Sequence, residues 1–364
     1  MEISIHSFFL VINVYSFIWV IYFFLSLMVL VFIFILSFSF YKSRFEKKKK
    51  LWQENIDTII SNAIFFENDG TEVWKLNPAD EIFLRNKSFR QLFIDEVIHA
   101  KKNLSGAPIA NLMTLYKTLN LDKYALQKLK SKKWHIKAKG IQELAVMGQV
   151  KYVKEIFRLT NDSHELVRNE AQCALVNFYG FKGLRFLNVI IYPISQWQQI
   201  QLLNYLHDLQ SADSKYLIKW LQSKNNSVVT FAIHLASLCN CAEVYKEVID
   251  CLDNADRQVK LNAIEYLRKI NSDDTADEII KCYGTSERII QLNILSVLQE
   301  TATEKHITFL MKQLHNTDHT IKLAAAKTLS CIHPSGRAFF ESHLFSDEYP
   351  WNAIFSQIES ERAA

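Results

Sequence analysis

The chain has 364 residues, with 42 Lys and Arg against 38 Asp and Glu, and only 8 Gly and 5 Pro. So little glycine argues against an α/β enzyme, and no stretch alternates apolar and polar residues for long, which leaves an all-helical chain. Apart from Glu2 and the charges of residues 42–50, the chain holds 36 basic and 36 acidic residues, a balance that excludes a nucleic-acid binder dependent on phosphate neutralisation.

From Ile3 to Tyr41 there is no Asp, Glu, Lys or Arg, and residues 8–41 are mostly Phe, Ile, Leu and Val without Gly or Pro. As a helix those 34 residues are about 50 Å long, enough for one tilted crossing of a hydrocarbon core of about 30 Å. Two crossings would need turn residues that are absent. A cleaved signal would begin with basic residues and end in a small-residue cleavage site; this start carries Glu2 instead, so a permanent transmembrane helix is expected. Six basic residues follow it, Lys42, Arg44, Lys47, Lys48, Lys49 and Lys50, and none precede it. Basic flanks stay cytoplasmic, which predicts a single-pass inner-membrane protein with residues 1–7 as a short outer tail and everything after residue 42 in the cytoplasm. The same six residues are candidate contacts for anionic lipid headgroups.

A basic juxtamembrane linker is expected over 42–56, passing into an amphipathic helix over 51–66. Turn signals at 67–71 and 76–80 give way to helices near 79–85, 88–103, 107–119 and 121–131, so 57–120 reads as degenerate N-terminal repeats. Over 121–333 a helical phrase then recurs, clearest at Val259–Leu267, Ile290–Leu298 and Ile321–Leu329, with weaker copies starting at Ile136, Val167, Trp197 and Val228. Successive starts lie 31, 30, 31, 31, 31 and 31 residues apart, a period that marks a solenoid. Its first, fifth and ninth residues are apolar and share one helical stripe, and the fifth is usually small, as in Ala171, Ala232, Ala263 and Ala325. A second apolar cluster precedes each phrase, as in Val248, Ile249 and Leu252, and a polar turn such as Asn161-Asp162-Ser163 or Asn316-Thr317-Asp318 separates the two. Each unit is thus a helical hairpin that buries its faces only by stacking on neighbours. Residues 334–364 are expected to form a C-terminal cap.

The period, the paired helices, the polar turn and a basic residue just after the phrase start (Lys137, Arg168, Lys260, Lys322) resemble the HEAT-repeat superfamily in its short bacterial form. That resemblance implies an α-solenoid in which the basic residue ties neighbouring turns, with Arg168 near Asp162. It also implies an adaptor for membrane machinery, and suggests envelope polysaccharide synthesis with a membrane glycosyltransferase as partner. Phycobilin lyases have similar short repeats, so a lyase-like enzyme is the alternative; a purely structural spacer is another.

Catalytic motifs are absent: there is no phosphate-binding loop, nucleophile elbow, metalloprotease helix or dinucleotide fingerprint. His234, Cys239, Cys241 and Cys251 are the one cluster resembling metal ligands, and their spacing does not match paired zinc knuckles. The reading is therefore of a binding protein and not an enzyme, without metal, cofactor, small-molecule substrate or nucleic acid, engaging a membrane-associated protein. Its surface is expected on the concave face, three, six and ten residues after each phrase start, with Phe231, His234, Asn262, Glu265, Lys269, Asn293, Glu300 and Lys327 as candidates. Asn262 and Asn293 occupy equivalent positions in adjacent repeats. The irregular stretch Tyr192–Gln199 is the rival location, with Trp197 read as a core residue.

Overall fold

Helix propensity and the near absence of glycine leave little room for other structure, and the computed structural model is helical throughout, with no strand among its described residues. Those are 2–65, 77–206, 213–332 and, near the end, 354, 356–358 and 360. The expected turn at 67–71 and most of the expected cap over 334–364 lie outside them; Ile354 and Ile358 of that cap are buried. The chain divides into two compact units, residues 1–125 and 126–364.

The first unit is built on one helix, α1 (Glu2–Ile64), 63 residues and about 95 Å long. Residues 2–7, expected as a short outer tail, and 42–56, expected as a basic linker, both belong to this helix, which continues into the amphipathic stretch expected from residue 51. The reason is composition: between Glu2 and Ile64 there is neither Gly nor Pro, and Lys and Glu propagate a helix as well as Leu does. Along its last turns Trp52, Ile56, Ile59, Ile60 and Ala63 recur every three or four residues and are buried. They pack against α3 (Lys87–Asn103) and α4 (Ala107–Thr118), which follow the short α2 (Pro78–Leu84). Trp52 meets Phe89 edge to face, with ring centroids 5.6 Å apart. Asn86 caps α3 by accepting from the backbone N–H groups of Ser88 and Phe89. Asn111 Nδ2 donates to the carbonyl of Ile64 at 3.2 Å, closing the end of α1.

The second unit begins within α5 (Leu121–Leu129) and carries the repeats. Their second helices are α6 (Trp134–Val146), α8 (Glu165–Tyr179), α9 (Gln196–Asn204), α11 (Asn226–Leu238), α13 (Arg257–Ile270), α15 (Arg288–Thr301) and α17 (His319–Cys331). Their first helices include α7 (Val153–Arg158), α10 (Ser214–Leu221), α12 (Tyr245–Asp250), α14 (Thr275–Lys281) and α16 (Ile307–Leu314), most of them extended by 3-10 turns. The phrase register holds where it was clearest. Val259, Ala263 and Leu267 are wholly buried, as are Ile294, Leu298 and Ala325. Asn240 and Asn271 adopt left-handed backbone (φ 49° and 45°) after α11 and α13, ending helices where glycine usually does.

The third repeat departs from the pattern. Its first helix is replaced by a 3-10 stretch, Gly180–Asn188, whose backbone runs against α8. A Cβ on Gly183 would stand 2.3 Å from the carbonyl oxygen of Leu175, so only glycine permits that approach. The expected register at Trp197 is wrong by one residue. Trp197 is 66% exposed, whereas Gln198, Leu202 and Leu206 face inward. A buried glutamine in the leading position is tolerated because it is hydrogen-bonded: Gln198 Nε2 donates to Gln172 Oε1, and Gln172 Nε2 donates to the carbonyl of Thr160.

Along the turns, polar ties join one repeat to the next. Lys137 Nζ donates to the Asp162 carboxylate at 2.6 Å, and Arg168 bonds the carbonyls of Asp162 and Ser163 and lies 4.0 Å over the Tyr192 ring. The predicted placement of Arg168 is therefore observed. Burial would raise the Asp162 carboxyl, but the Lys137 ammonium and the His164 N–H outweigh it and hold the group below its ordinary range.

Candidate interaction surface

In a helix with about 100° between residues, positions zero, four and eight of the phrase point into the stack, while positions one before and two, six and ten after its start fall within an arc of about 80° on the opposite side. With the third repeat shifted to Gln198, this arc is the outward face of every second helix. His234, Glu265, Lys269 and Glu300 all project from it and are exposed, as expected, and Lys327 is half-buried.

Position three lies outside that arc, on the flank turned toward the neighbouring helix, and there the expectation fails. Phe231 is wholly buried, and Asn262 and Asn293 are half-buried. Asn262 Oδ1 accepts from Gln258 Nε2 of its own helix at 2.9 Å, and the amide oxygen of Asn293 is buried without a hydrogen bond. Phe231 is thus core and not partner surface.

The exposed charges are largely engaged within the solenoid. Arg268, which the sequence reading passed over, bridges Glu265 of its own helix (2.5 Å) and Glu300 of the next (3.0 Å). Lys269 Nζ donates to the carbonyl of Ser237 at the end of α11, and Asn177 donates to Ala145 at the end of α6, each spanning one repeat. A cation at a helix C-terminus also meets the negative end of its dipole. His234 stays partly covered, and that desolvation lowers its imidazole below the ordinary pKa.

What the sequence reading missed on this face is apolar. Leu166 and Trp197 stand one residue before the inward position of α8 and α9, and Ile200 two residues after it; they are 48%, 66% and 49% exposed. These helices pack on each other, so the three side chains occupy neighbouring places on one outward face. The signal was present in the sequence, but the one-residue slip of register assigned Trp197 to the interior.

At five of the six cysteines burial disfavours the thiolate. Burial pushes the thiol of Cys173 up to about 12 and that of Cys251 up to about 11, and burial also raises Cys239, Cys241 and Cys282. Among the described residues no group of three or more His, Cys, Asp or Glu side chains is placed to hold a metal, and His234, Cys239, Cys241 and Cys251 do not form one.

The six basic residues of α1 are all exposed. Lys47 to Lys50 occupy consecutive positions and so point all round the helix, forming a collar and not a stripe. Arg44 lies over Phe40 and Lys48 over Trp52, at 4.6 and 4.9 Å from the ring centroids. Within the described residues α1 is the one helix long and apolar enough to cross a membrane.

Comparison with known proteins places the solenoid. Residues 245–330 match the family model for HEAT repeats. No curated protein matches the chain. Solved structures similar to it include a designed armadillo repeat protein (14% identity over 58% of this chain and 99% of that one, TM-score 0.30). Human deoxyhypusine hydroxylase in complex with glycerol is 11% identical over 86% and 97% of the two chains, with a TM-score of 0.28. The complex of CpcE and CpcF of phycocyanin lyase from Nostoc sp. PCC7120 is 11% identical over 81% and 98%, with a TM-score of 0.24. The matched segment, residues 245–330, consists of HEAT repeats and carries the same phrase, turn and hairpin as the repeats before it, and the chain is an α-solenoid preceded by a long apolar helix.

Proposed function

We propose that this protein is a membrane-anchored scaffold that works by holding a protein partner and not by catalysis. The observation that carries the reading is the continuity of α1. One helix runs from the apolar stretch through the basic collar into the packed core of the first unit. From Tyr41 to Trp52 is about 16 Å of helix, which spans a headgroup layer and leaves the first core residue just outside it. A collar suits a helix that crosses a bilayer, since headgroups meet it from every side; a helix lying on the surface would carry its lysines on one side. The collar also sets the solenoid on the cytoplasmic side and draws anionic lipids to Lys42, Arg44 and Lys47–Lys50.

The partner docks on the outward face of the second helices, with Leu166, Trp197 and Ile200 as apolar anchors and His234, Lys269 and Lys327 at the polar margin. A membrane-bound glycosyltransferase of envelope polysaccharide synthesis is the class of partner to seek first. The test is site-specific photocrosslinking in intact membranes with a benzophenone side chain at position 197. A discrete adduct with a membrane protein is expected. Absence of any adduct at 197 and at 234 would leave a spacer and end the docking reading.

A further inference from the structure

Every second helix of the repeats is entered through the residue three positions before its inward position, and before four of the seven, α8, α13, α15 and α17, the turn carries an acid. Asp162 belongs to the turn before α8, Asp256 and Asp318 cap α13 and α17, and Glu287 stands at the same position before α15. Each is met by a neighbouring repeat: Asp162 by Lys137, Asp256 by Asn226, Glu287 by Arg257 and Asp318 by Arg288. At α6, α9 and α11 the residues in that position are Lys133, Ser195 and Asn225, and none of these three turns holds an acid. The turns before α9 and α11 adjoin a cleft of ≈ 660 Å³ formed by the end of the 3-10 stretch, the loop after it and the end of α10.

The walls of this cleft are of two kinds. Leu187, Ile190, Ile191 and the edge of Trp220 make an apolar side, and Ile191 is 74% exposed. Lys219 and Lys224 also line the cleft, exposed and without an acidic partner among the described residues. The frame between them is held in place: Trp220 Nε1 donates to Asn188 Oδ1 at 3.1 Å, and Asn225 Nδ2 donates to the carbonyl of Tyr192 at 3.1 Å. The loop backbone is tied too, since Ile194 N–H donates to Ser227 Oγ at 2.9 Å. A volume of this size accepts a small ligand or a few residues of a peptide.

We infer that this cleft binds an acidic, apolar segment of an extended peptide chain, whose carboxylates supply at the third and fourth repeats the charge that the turns before α8, α13, α15 and α17 carry themselves. Both cations are exposed, so each attracts a carboxylate only modestly, and a segment presenting several acids with an apolar side chain between them gains from both walls. A small anion would lack the buried cation that tight capture needs. The site is separate from the outward face of the second helices, so either can fail without the other.

The test uses the full chain in nanodiscs of uncharged phosphatidylcholine and fluorescein-labelled peptides read by anisotropy. A peptide alternating Asp and Leu is expected to bind, with an alternating Asp/Ser peptide and an Asn/Leu peptide each about tenfold weaker. Lys219→Glu with Lys224→Glu should abolish binding of the Asp/Leu peptide, and Ile191→Ser should weaken it. The same charge reversal in the collar, Lys47→Glu with Lys48→Glu, should leave it unchanged. Equal binding by wild type and the Lys219/Lys224 variant, or no binding by wild type, would overturn the inference. So would retention on anionic vesicles through Lys219 and Lys224 without peptide binding, which would make the cleft a lipid contact.

Discussion

Truncating Trp197 to alanine separates a docking surface from a structural one. The side chain is 66% exposed, so little of it contributes to the core. An aromatic side chain presents roughly 150–250 Å², and covering two-thirds of that at about 25 cal/mol per Å² is worth about 3–4 kcal/mol at most. Truncation of a central aromatic anchor commonly costs at least about 2 kcal/mol, so partner capture should weaken by between about thirtyfold and several hundredfold. Stability should scarcely move, because exposed substitutions away from special features stay within about 0.5 kcal/mol, a melting shift of about 1–2 °C for a unit of this size. The assay pairs thermal melting of the full chain in nanodiscs with capture of the crosslinked partner from gently solubilised membranes. Leu166→Ala should act in the same direction and less strongly. Unaltered capture by Trp197→Ala, or a melting temperature lowered by several degrees, would refute the placement of the docking surface.

Three further outcomes follow from the same geometry. Ala263→Arg buries an unpaired charge at a site with no exposure and should cost several kcal/mol, whereas Lys260→Gln should cost under about 1 kcal/mol; equal melting of the two variants would show the helix register to be wrong. A reporter active only outside the cytoplasm, fused after Ala364, should stay silent in the wild type, and replacing the six basic residues of the collar with Gln should give mixed orientation. Acid stability reports the turn ties. Asp162 is held below its ordinary range, and Asp318 is lowered to about 2, chiefly by the Thr320 hydroxyl and N–H and then by Arg288. Both groups bind protons less readily folded than unfolded, so their stabilisation is present above about pH 4 and is lost as pH falls through the folded values. Melting temperature should therefore fall between about pH 4 and pH 2, and Asp318→Asn should start lower and fall less.

The fold was legible because the repeat states its rule many times over. Small or β-branched residues at Val259, Ala263, Ala325 and their equivalents leave a single helical register that buries this apolar stripe. The site was legible only where it obeyed that rule. Positions six and ten project outward because 3.6-residue geometry leaves no alternative, so Glu265, Lys269 and Glu300 were placed correctly. Position three sits at the margin of the stripe, where a few degrees of helix rotation decide burial, and there residue type decides: asparagine remains half out and Phe231 folds into the groove.

The third repeat shows why hydrophobicity alone misleads. Reading apolar residues inward puts Trp197 in the core, and the structure puts Gln198 there. A lone glutamine in a stack of leucines would be an error of reading, because an unpaired buried amide costs more than an exposed tryptophan does. Here its cost is offset by Gln172, which is itself bonded to the carbonyl of Thr160, so the polar group belongs to a closed chain across two repeats. Nothing in a local window reveals that chain, since its members are 26 and 12 residues apart. Once it exists, the helix is rotated by one position and its largest aromatic is turned to solvent. Gln198→Leu tests the argument. It would leave Gln172 Oε1 unpaired, and the expected loss is about 1–3 kcal/mol despite the gain in apolar surface. The double change with Gln172→Leu should recover much of that loss, whereas additive losses would mean that the glutamine pair does not determine which face α9 buries.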